Sequence, residues 1–409
     1  MPAILTWLDY DTDDRERMHR ILALFRERDT RDELGVGVIR DLLADELFPG
    51  TSTIQTRLRY MLFVPWIYQG LEDEEWSSAE IAGEARRREV ALVKGLLKSD
   101  DKAGIFGKLA GEKLDRLPSS VYWSGLGSWG IRKFPGSQEQ YHSSVNEIYR
   151  CRADRRRRVQ SAERRGEGMD AVGNYSGVTW HPQLPEPPAT FPPEVEIGLT
   201  AHEAHFVIDQ VTAMHRHSLL VQLLNRQPAD VEFPWEHPHQ GSFSAEHRQL
   251  LHHGRLFSEL MHGAALLYNL MLAEKVQNQT LIDEHRDASS EWADALDLPA
   301  LNVWNFGWVT DLAMKREQLI PMPTREFCQR WLASVLSSDG KLFDQSDARN
   351  LIHARETRLK GSRSRFLNQR AIDQWNGHAG MSRMNYRWLN VQRFVKDLND
   401  ALVNARARD

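Results

Sequence analysis

The sequence predicts a mainly α protein of two helical domains, the first with winged-helix or helix-turn-helix character and a small β element. Three observations predict this. Apolar residues recur at helical spacing in segment after segment, period-2 alternation is scarce, and proline and glycine fall mostly between the periodic stretches. At 409 residues the chain exceeds one ordinary core, which favours two domains. Its 41% hydrophobic and 27% charged residues are the balance of a globular chain rather than a disordered one.

Taken in order, "ILTWLDY" (Ile4–Tyr10) reads as a short strand, and Asp11, Thr12 and Asp13 offer caps to a helix through Ile21, Leu22 and Phe25. Val38, Leu42 and Phe48 lie at helical spacing, with Pro49-Gly50 as the stop. The spacing predicts the next helix over 52–64, capped at Thr51–Thr53 and ending near Pro65. "SSAEIAGEARRREVALVKGLLK" has Ser77 or Ser78 as cap and a stripe of Ile81, Ala85, Val90, Val93 and Leu97. A helix over "KAGIFGKLAGEKLD" precedes a proline turn and the aromatic, glycine-broken segment Tyr122–Phe134. Beyond residue 196, helices follow with caps at Thr200 and Ser244, then around Glu291–Ala295, Asn305–Leu319 and Thr324–Leu336, and in the tail. The domain reading is 1–150 for the first domain, 151–196 for a basic and then proline-rich linker, and 197–409 for the second domain with its basic tail.

Several classes are excluded or disfavoured. The N-terminus lacks the pattern of a secretory signal, and no apolar run reaches a bilayer span, so no membrane partner is expected. Cys151 and Cys328 lie far apart without a C-x-x-C pair, which argues for a reducing, cytoplasmic setting. There is no Walker A loop, nucleophile elbow or kinase signature. No cofactor is expected and no catalytic residue is assigned. The net charge of −5 hides an asymmetry: 7 basic against 12 acidic residues up to Gly50, but 12 against 5 from Leu351 onward. A local basic patch on an acidic chain is compatible with nucleic acid.

Two segments are candidates for phosphate. In "LFPGTSTIQTRLRYMLFVPWIY" the expected helix pair and Pro-Gly turn have helix-turn-helix proportions. Thr53, Gln55, Arg57 and Arg59 lie off the apolar stripe, where hydroxyls, an amide and guanidiniums suit DNA contact. The alternative is a capped core helix whose arginines pair with Asp41, Asp45 or Glu46. Tyr122–Phe134 then reads either as a β-wing, with Arg132 and Lys133 on phosphates, or as an aromatic core plug. The second segment, "RETRLKGSRSRFLNQR", places Arg355, Arg358, Lys360, Arg363, Arg365 and Arg370 around a Gly-Ser break. Trp375, Tyr386, Arg387 and Trp388 follow as stacking candidates, and a solvated face or a dock for an acidic protein is the alternative. Ten of the sixteen histidines fall between His202 and His262. "HEAH" has i, i+3 spacing rather than that of the zincins, and His247, His252 and His262 are further ligand candidates, so no metal is assigned.

The blocks "PGTSTIQTRLRYMLFVPWIY", "SSVYWSGLGSWGIR" and "RSRFLNQRAIDQWNGHAG…YRW" together resemble a family of bacterial proteins of this length that carries only a domain-of-unknown-function label. The resemblance covers most of the chain and brings no catalytic residues with it. It implies a place beside helicase-like and phospholipase-D-like genes in anti-phage defence islands. The resulting expectation is a nucleic-acid-binding accessory subunit of a defence or DNA-processing system without its own ATPase. Its expected partners are duplex or single-stranded DNA and the proteins of a multi-subunit system. The alternatives are an adaptor without DNA binding and a metal-dependent hydrolase using the 202–262 histidines.

Overall fold

The computed structural model describes residues 32–108, 116–165 and 177–407. The strand and helix expected before residue 32, and residues 109–115 of the helix expected over 102–115, lie outside the described residues; 102–108 form turns and irregular backbone, not helix. From α1 (Gly37–Leu47) the chain runs through α2 (Tyr60–Asp73), α3 (Ile81–Leu96), α4 (Pro118–Ser128) and α5 (Gln138–Arg165). It continues with α6 (Ala201–His215), α7 (Leu219–Leu224), α8 (Ala245–Lys275), α9 (Gln279–Ala295) and α10 (Leu298–Val303). The last five are α11 (Gly307–Lys315), α12 (Met322–Ser337), α13 (Ser346–Lys360), α14 (Gln369–Asp373) and α15 (Trp388–Arg406). The protein is mainly helical. Among the described residues there is no strand, only an isolated bridge between Arg132 and Trp180.

Contacts divide the chain into two compact units, neither of them one continuous segment. One comprises the residues up to Leu43 together with Gln249–Tyr386, and the other Ala44–Arg248 with Arg387–Asp409. In the second, α2 is the core helix. Residues Tyr60 to Tyr68 are buried without a break, because the run "YMLFVPWIY" offers no polar face to water. α3 and α4 pack on it, and α15 packs on α6 and α7. In the first, α12 packs on α10 and α13. α8 is long and apolar enough to cross a membrane by length and composition, yet 83% of that stretch is buried inside the protein, as in a core helix.

Several caps match their sequence signals. Thr200 forms a capping box with Glu203 at the start of α6, and Ser244 Oγ accepts from His247 N at the start of α8. The stretch expected as a connector behaves differently. Trp66 Nε1 donates to the Pro185 carbonyl at 2.6 Å, and Phe191 packs on Phe63 and Trp66 at 5.9 and 5.3 Å. Proline-rich backbone carries spare carbonyls and flat rings, so it lines an aromatic helix as readily as it spans solvent.

α4 lacks a side-chain cap of its own, since its N-cap residue is Leu117. Glu89 of α3 supplies one from outside, accepting from Ser119 N at 2.8 Å and Ser119 Oγ at 2.6 Å. Burial pushes the Glu89 carboxyl up to about 7, against the lowering effect of Ser119. A raised acid binds its proton more tightly in the folded state than in the unfolded state. The contribution of Glu89 to stability is therefore fully present below the unfolded value of 4.5 and is lost as pH rises from there through about 7. The loss is roughly 3 kcal/mol at about 1.4 kcal/mol per unit. Glu89→Gln is expected to flatten this slope; urea midpoints of both proteins at pH 5 and pH 8 measure it, and parallel slopes would contradict it.

Candidate functional site

The first candidate segment is not a helix-turn-helix. Residues 51–59 form turns and irregular backbone, and α2 begins only at Tyr60. The reason lies in tertiary hydrogen bonds that outcompete a helical ladder. Tyr122 Oη accepts from Thr56 N at 2.8 Å and Arg57 N at 3.1 Å, and donates to the Arg57 carbonyl at 2.7 Å. Thr56 Oγ1 donates to the Gly104 carbonyl at 2.6 Å, and Gln55 folds back to accept from Ser52 N at 3.0 Å. The preceding turn is equally constrained. Gly50 has φ +78°, and a Cβ there would lie 2.3 Å from Trp129 Nε1, which donates to the Pro49 carbonyl.

The two arginines of this segment are interior. Arg57 Nε donates to Asp397 Oδ1 at 3.0 Å, and its Nη1 reaches Asp101 Oδ2 at 2.6 Å and the Ala103 carbonyl at 2.9 Å. Arg59 donates to Glu203 Oε1 at 2.6 Å and to the Glu196 carbonyl at 2.7 Å. Gln55 is buried with them, and of the four residues proposed as DNA contacts only Thr53 is exposed. Burial raises the Asp397 carboxyl although Arg57 and the Leu58 amide oppose it. Asp397 and Asn390 were missed by sequence reasoning, and Arg387, expected as a stacking candidate, is a structural partner instead. All three hold the segment from α15 or the residue before it: Asn390 donates to the Ser52 carbonyl at 2.9 Å, and Arg387 to Asp45 and the Thr51 carbonyl. The available signal was an acid, Asp397, set inside the apolar stripe of Val391, Phe394 and Leu398. The expected pairing of Arg57 and Arg59 with Asp41, Asp45 or Glu46 is replaced by these partners.

A cavity of about 550 Å³ opens beside Arg59, with Glu194, Glu196, Thr200, Leu199 and Asn404 among its walls. Arg59 is already neutralised by Glu203, and Glu194 and Glu196 are exposed carboxylates. The cavity is therefore electrostatically unsuited to a phosphate. The proposed β-wing is instead α4 followed by a turn; Pro118 sits at its start, and a Cβ on Gly125 would lie 2.4 Å from the Gly50 carbonyl.

The second basic segment separates into two groups. Arg355 is buried and caps the carbonyls of Leu34, Gly35 and Pro323 at 2.7 to 3.0 Å, with Thr324 Oγ1 at 2.8 Å. Lys360 and Arg365 both donate to Glu33, the latter at 2.6 Å, and Arg365 also reaches Tyr268 Oη at 2.9 Å. Burial would raise the Glu33 carboxyl, but the two cations outweigh it and hold it below its ordinary value. Arg358, Arg363 and Arg370 are exposed, with no ion pair among the described residues. Gly361, at φ +54°, ends α13 between them. Trp388 is buried, its Nε1 donating to the Val231 carbonyl at 3.0 Å, and Tyr386 is buried against the Gly254 carbonyl, so neither is a stacking platform. Trp375 is half-buried and donates to Asn269.

In the other unit, α5 carries Arg155–Arg158, all exposed. Arg157 pairs with Asp154 at 3.1 Å, while Arg156 and Arg158 have no ion pair among the described residues. The histidines disperse: His202 and His205 are exposed, His247 bonds the His217 carbonyl, and His253 stacks on Trp308 at 3.9 Å. Among the described residues no three His, Cys, Asp or Glu side chains converge as a metal ion would require.

A family model described as a family of unknown function, DUF6361, matches residues 2–157 and 165–402. The chain belongs to this family. No curated protein and no solved structure matches it. Arg57, Tyr122, Trp129 and Trp388, all within the matched residues, are buried.

Arg57→Ala would leave Asp397 buried without its cation, and unfolding free energy is expected to fall by about 3–5 kcal/mol. The double replacement Arg57→Met with Asp397→Leu should recover much of that, as denaturant titrations of the single and double variants would register. A single variant as stable as the parent would remove the pair from its structural role.

Proposed function

We propose that this protein is a nucleic-acid-binding accessory subunit that holds the phosphate backbone through exposed arginines and does not read bases with a recognition helix. What supports this is the sorting of its basic residues. Arg57, Arg59, Arg355, Lys360 and Arg365 are consumed by internal partners. Arg358, Arg363 and Arg370 in one unit, and Arg156 and Arg158 in the other, stand in solvent without a carboxylate among the described residues. Such guanidiniums present several donors in a fork that matches phosphate oxygens. A place in a defence or DNA-processing system follows from the family resemblance and from no feature of the fold.

A second reading has its own support. Leu359 and Leu367 are 42% and 62% exposed and alternate with these arginines. A mixed apolar and basic face also suits an acidic, amphipathic segment of a partner protein, which is the adaptor function.

Fluorescence anisotropy with a labelled duplex and a labelled single strand, titrated against salt, separates the two. Binding is expected to weaken linearly in log salt, with a slope of about 0.9 per duplex phosphate contacted. The triple reversal Arg358→Glu, Arg363→Glu and Arg370→Glu should lower affinity at least about tenfold and flatten the slope. Arg156→Glu with Arg158→Glu tests the other unit separately. No measurable affinity at low salt for either nucleic acid would leave the adaptor reading in place of this one.

A further inference from the structure

The cavity beside Arg59 shares no residue with the exposed arginine set, and it lies wholly within the unit containing residues 44–248 and 387–409. At about 550 Å³ it has the size of a small-molecule site. One wall is the irregular stretch from Pro188 that leads into α6, and the other is the C-terminal end of α15. Gly198, Ala201, Ala401 and Ala405 contribute at most a methyl group each, so the space between the walls stays unfilled. A Cβ on Gly198 would meet no atom within 4 Å.

The polar groups of the cavity differ between its buried and its exposed walls. Arg59 is 5% exposed, and its Nε is buried without a hydrogen-bond partner, while its other nitrogens hold Glu203 and the Glu196 carbonyl. One N–H donor therefore lacks an acceptor. The charge of Arg59 is offset by Glu203 at 2.6 Å, so a neutral acceptor meets that need without a second anion. The exposed walls include Glu194 and Glu196, whose carboxylates have no ion pair or hydrogen bond among the described residues. The C-terminal end of α15 adds partial negative charge beside them. The opposite pull of the α6 N-terminus is met internally, because Thr200 and Glu203 each accept the other's backbone N–H. The exposed part of the cavity thus favours a cation. No aromatic ring is among its walls, so a methylated ammonium would find no π face there. A primary ammonium, with three N–H donors, suits two carboxylates.

We infer that this cavity binds a primary alkylammonium joined through an aliphatic chain to a neutral amide. The amide carbonyl accepts from Arg59 Nε, the chain lies against Val195, Leu199 and Ala401, and the ammonium donates to Glu194 and Glu196. An N-acylated diamine carries this chemistry, and so does a lysine residue within a peptide. A simple amine has the charge without the acceptor, and an anion would face the two glutamates. None of these residues belongs to the arginines proposed above to hold nucleic acid, so either assignment can fail alone.

Saturation-transfer NMR titrations of the full chain at low salt test this. The probes are N-acetylputrescine, N,N′-diacetylputrescine, which keeps a carbonyl and loses the charge, and butylamine, which keeps the charge and lacks the carbonyl. N-acetylputrescine is expected to bind at least about fivefold more tightly than either of the others. A short peptide with a central lysine identifies the source: tighter binding than N-acetylputrescine points to a protein segment, and equal or weaker binding to a free acylated amine. Either result supports the site. Glu194→Gln with Glu196→Gln should weaken N-acetylputrescine binding by about fivefold or more, without a folding cost, because both side chains are exposed and unpaired. Gly198→Leu, which the open space there admits, should exclude the ligand. Asp230→Asn with Glu232→Gln removes the same charge from exposed positions near the start of α15, where Gln392 holds the neighbouring carbonyls, and should leave binding unchanged. Equal affinity for the diacetylated probe or for butylamine, absence of N-acetylputrescine binding, or an equal loss in the Asp230 and Glu232 variant would overturn the assignment. So would Glu194, Glu196 or Gly198 variants that bind as the parent does. The comparison of probes on the parent protein decides the matter even where a variant fails to fold.

Discussion

A guanidinium and a carboxylate 340 residues apart in the chain meet in the interior at 3.0 Å, and the order of the unit containing residues 44–248 depends on that meeting. Arg57 and Asp397 are both buried, so neither could remain charged there alone. Asp397 also accepts the Leu58 amide at 2.9 Å, which fixes the backbone just before the core helix α2 begins. The C-terminal helix α15 is thereby tied to the turn that follows α1. Its other polar residues, Asn390 and Gln392, take up main-chain carbonyls on either side, at Ser52 and Ala229. Once these carbonyls and amides have partners, residues 51–59 have no need of a helix.

The same constraint governs how the arginines divide. A buried guanidinium has to satisfy up to five donors, and the interior offers carboxylates or carbonyls only where the fold converges. Arg57 and Arg59 find both, Arg355 finds carbonyls and a hydroxyl, and Arg365 shares Glu33 with Lys360. What remains outside this accounting is a smaller set of solvent-facing cations, Arg358, Arg363 and Arg370 in one unit and Arg156 and Arg158 in the other. Only cations without an internal carboxylate keep interaction free energy to offer an anionic ligand.

Much of the helical content was legible in the residues. Thr200 with Glu203 three positions on, and Ser244 ahead of an apolar run, specify helix starts through local chemistry, and the structure has them there. The helix expected over 52–64 lies further along the chain, at Tyr60–Asp73, and Pro65, expected near its end, stands inside it. The failures share one cause. The threonines at 51 and 53 resemble helix caps locally, yet the backbone that follows bonds to Tyr122, 66 residues away for Thr56. Glu89 caps a different helix, a role that no local spacing signals. The aromatic segment from Tyr122, open between a wing and a core plug, is buried helix whose glycines admit close backbone approach.

By itself the sequence determined the class of the fold, the positions of most helices and the exclusion of an ATP-binding loop, since these rest on periodicity, caps and fixed local motifs. Only the tertiary structure decided which charges are available. An arginine beside a threonine-rich turn and an arginine beside a Gly-Ser break look alike as strings. Whether either meets water or a carboxylate depends on residues hundreds of positions away, brought near by apolar packing that local sequence does not encode.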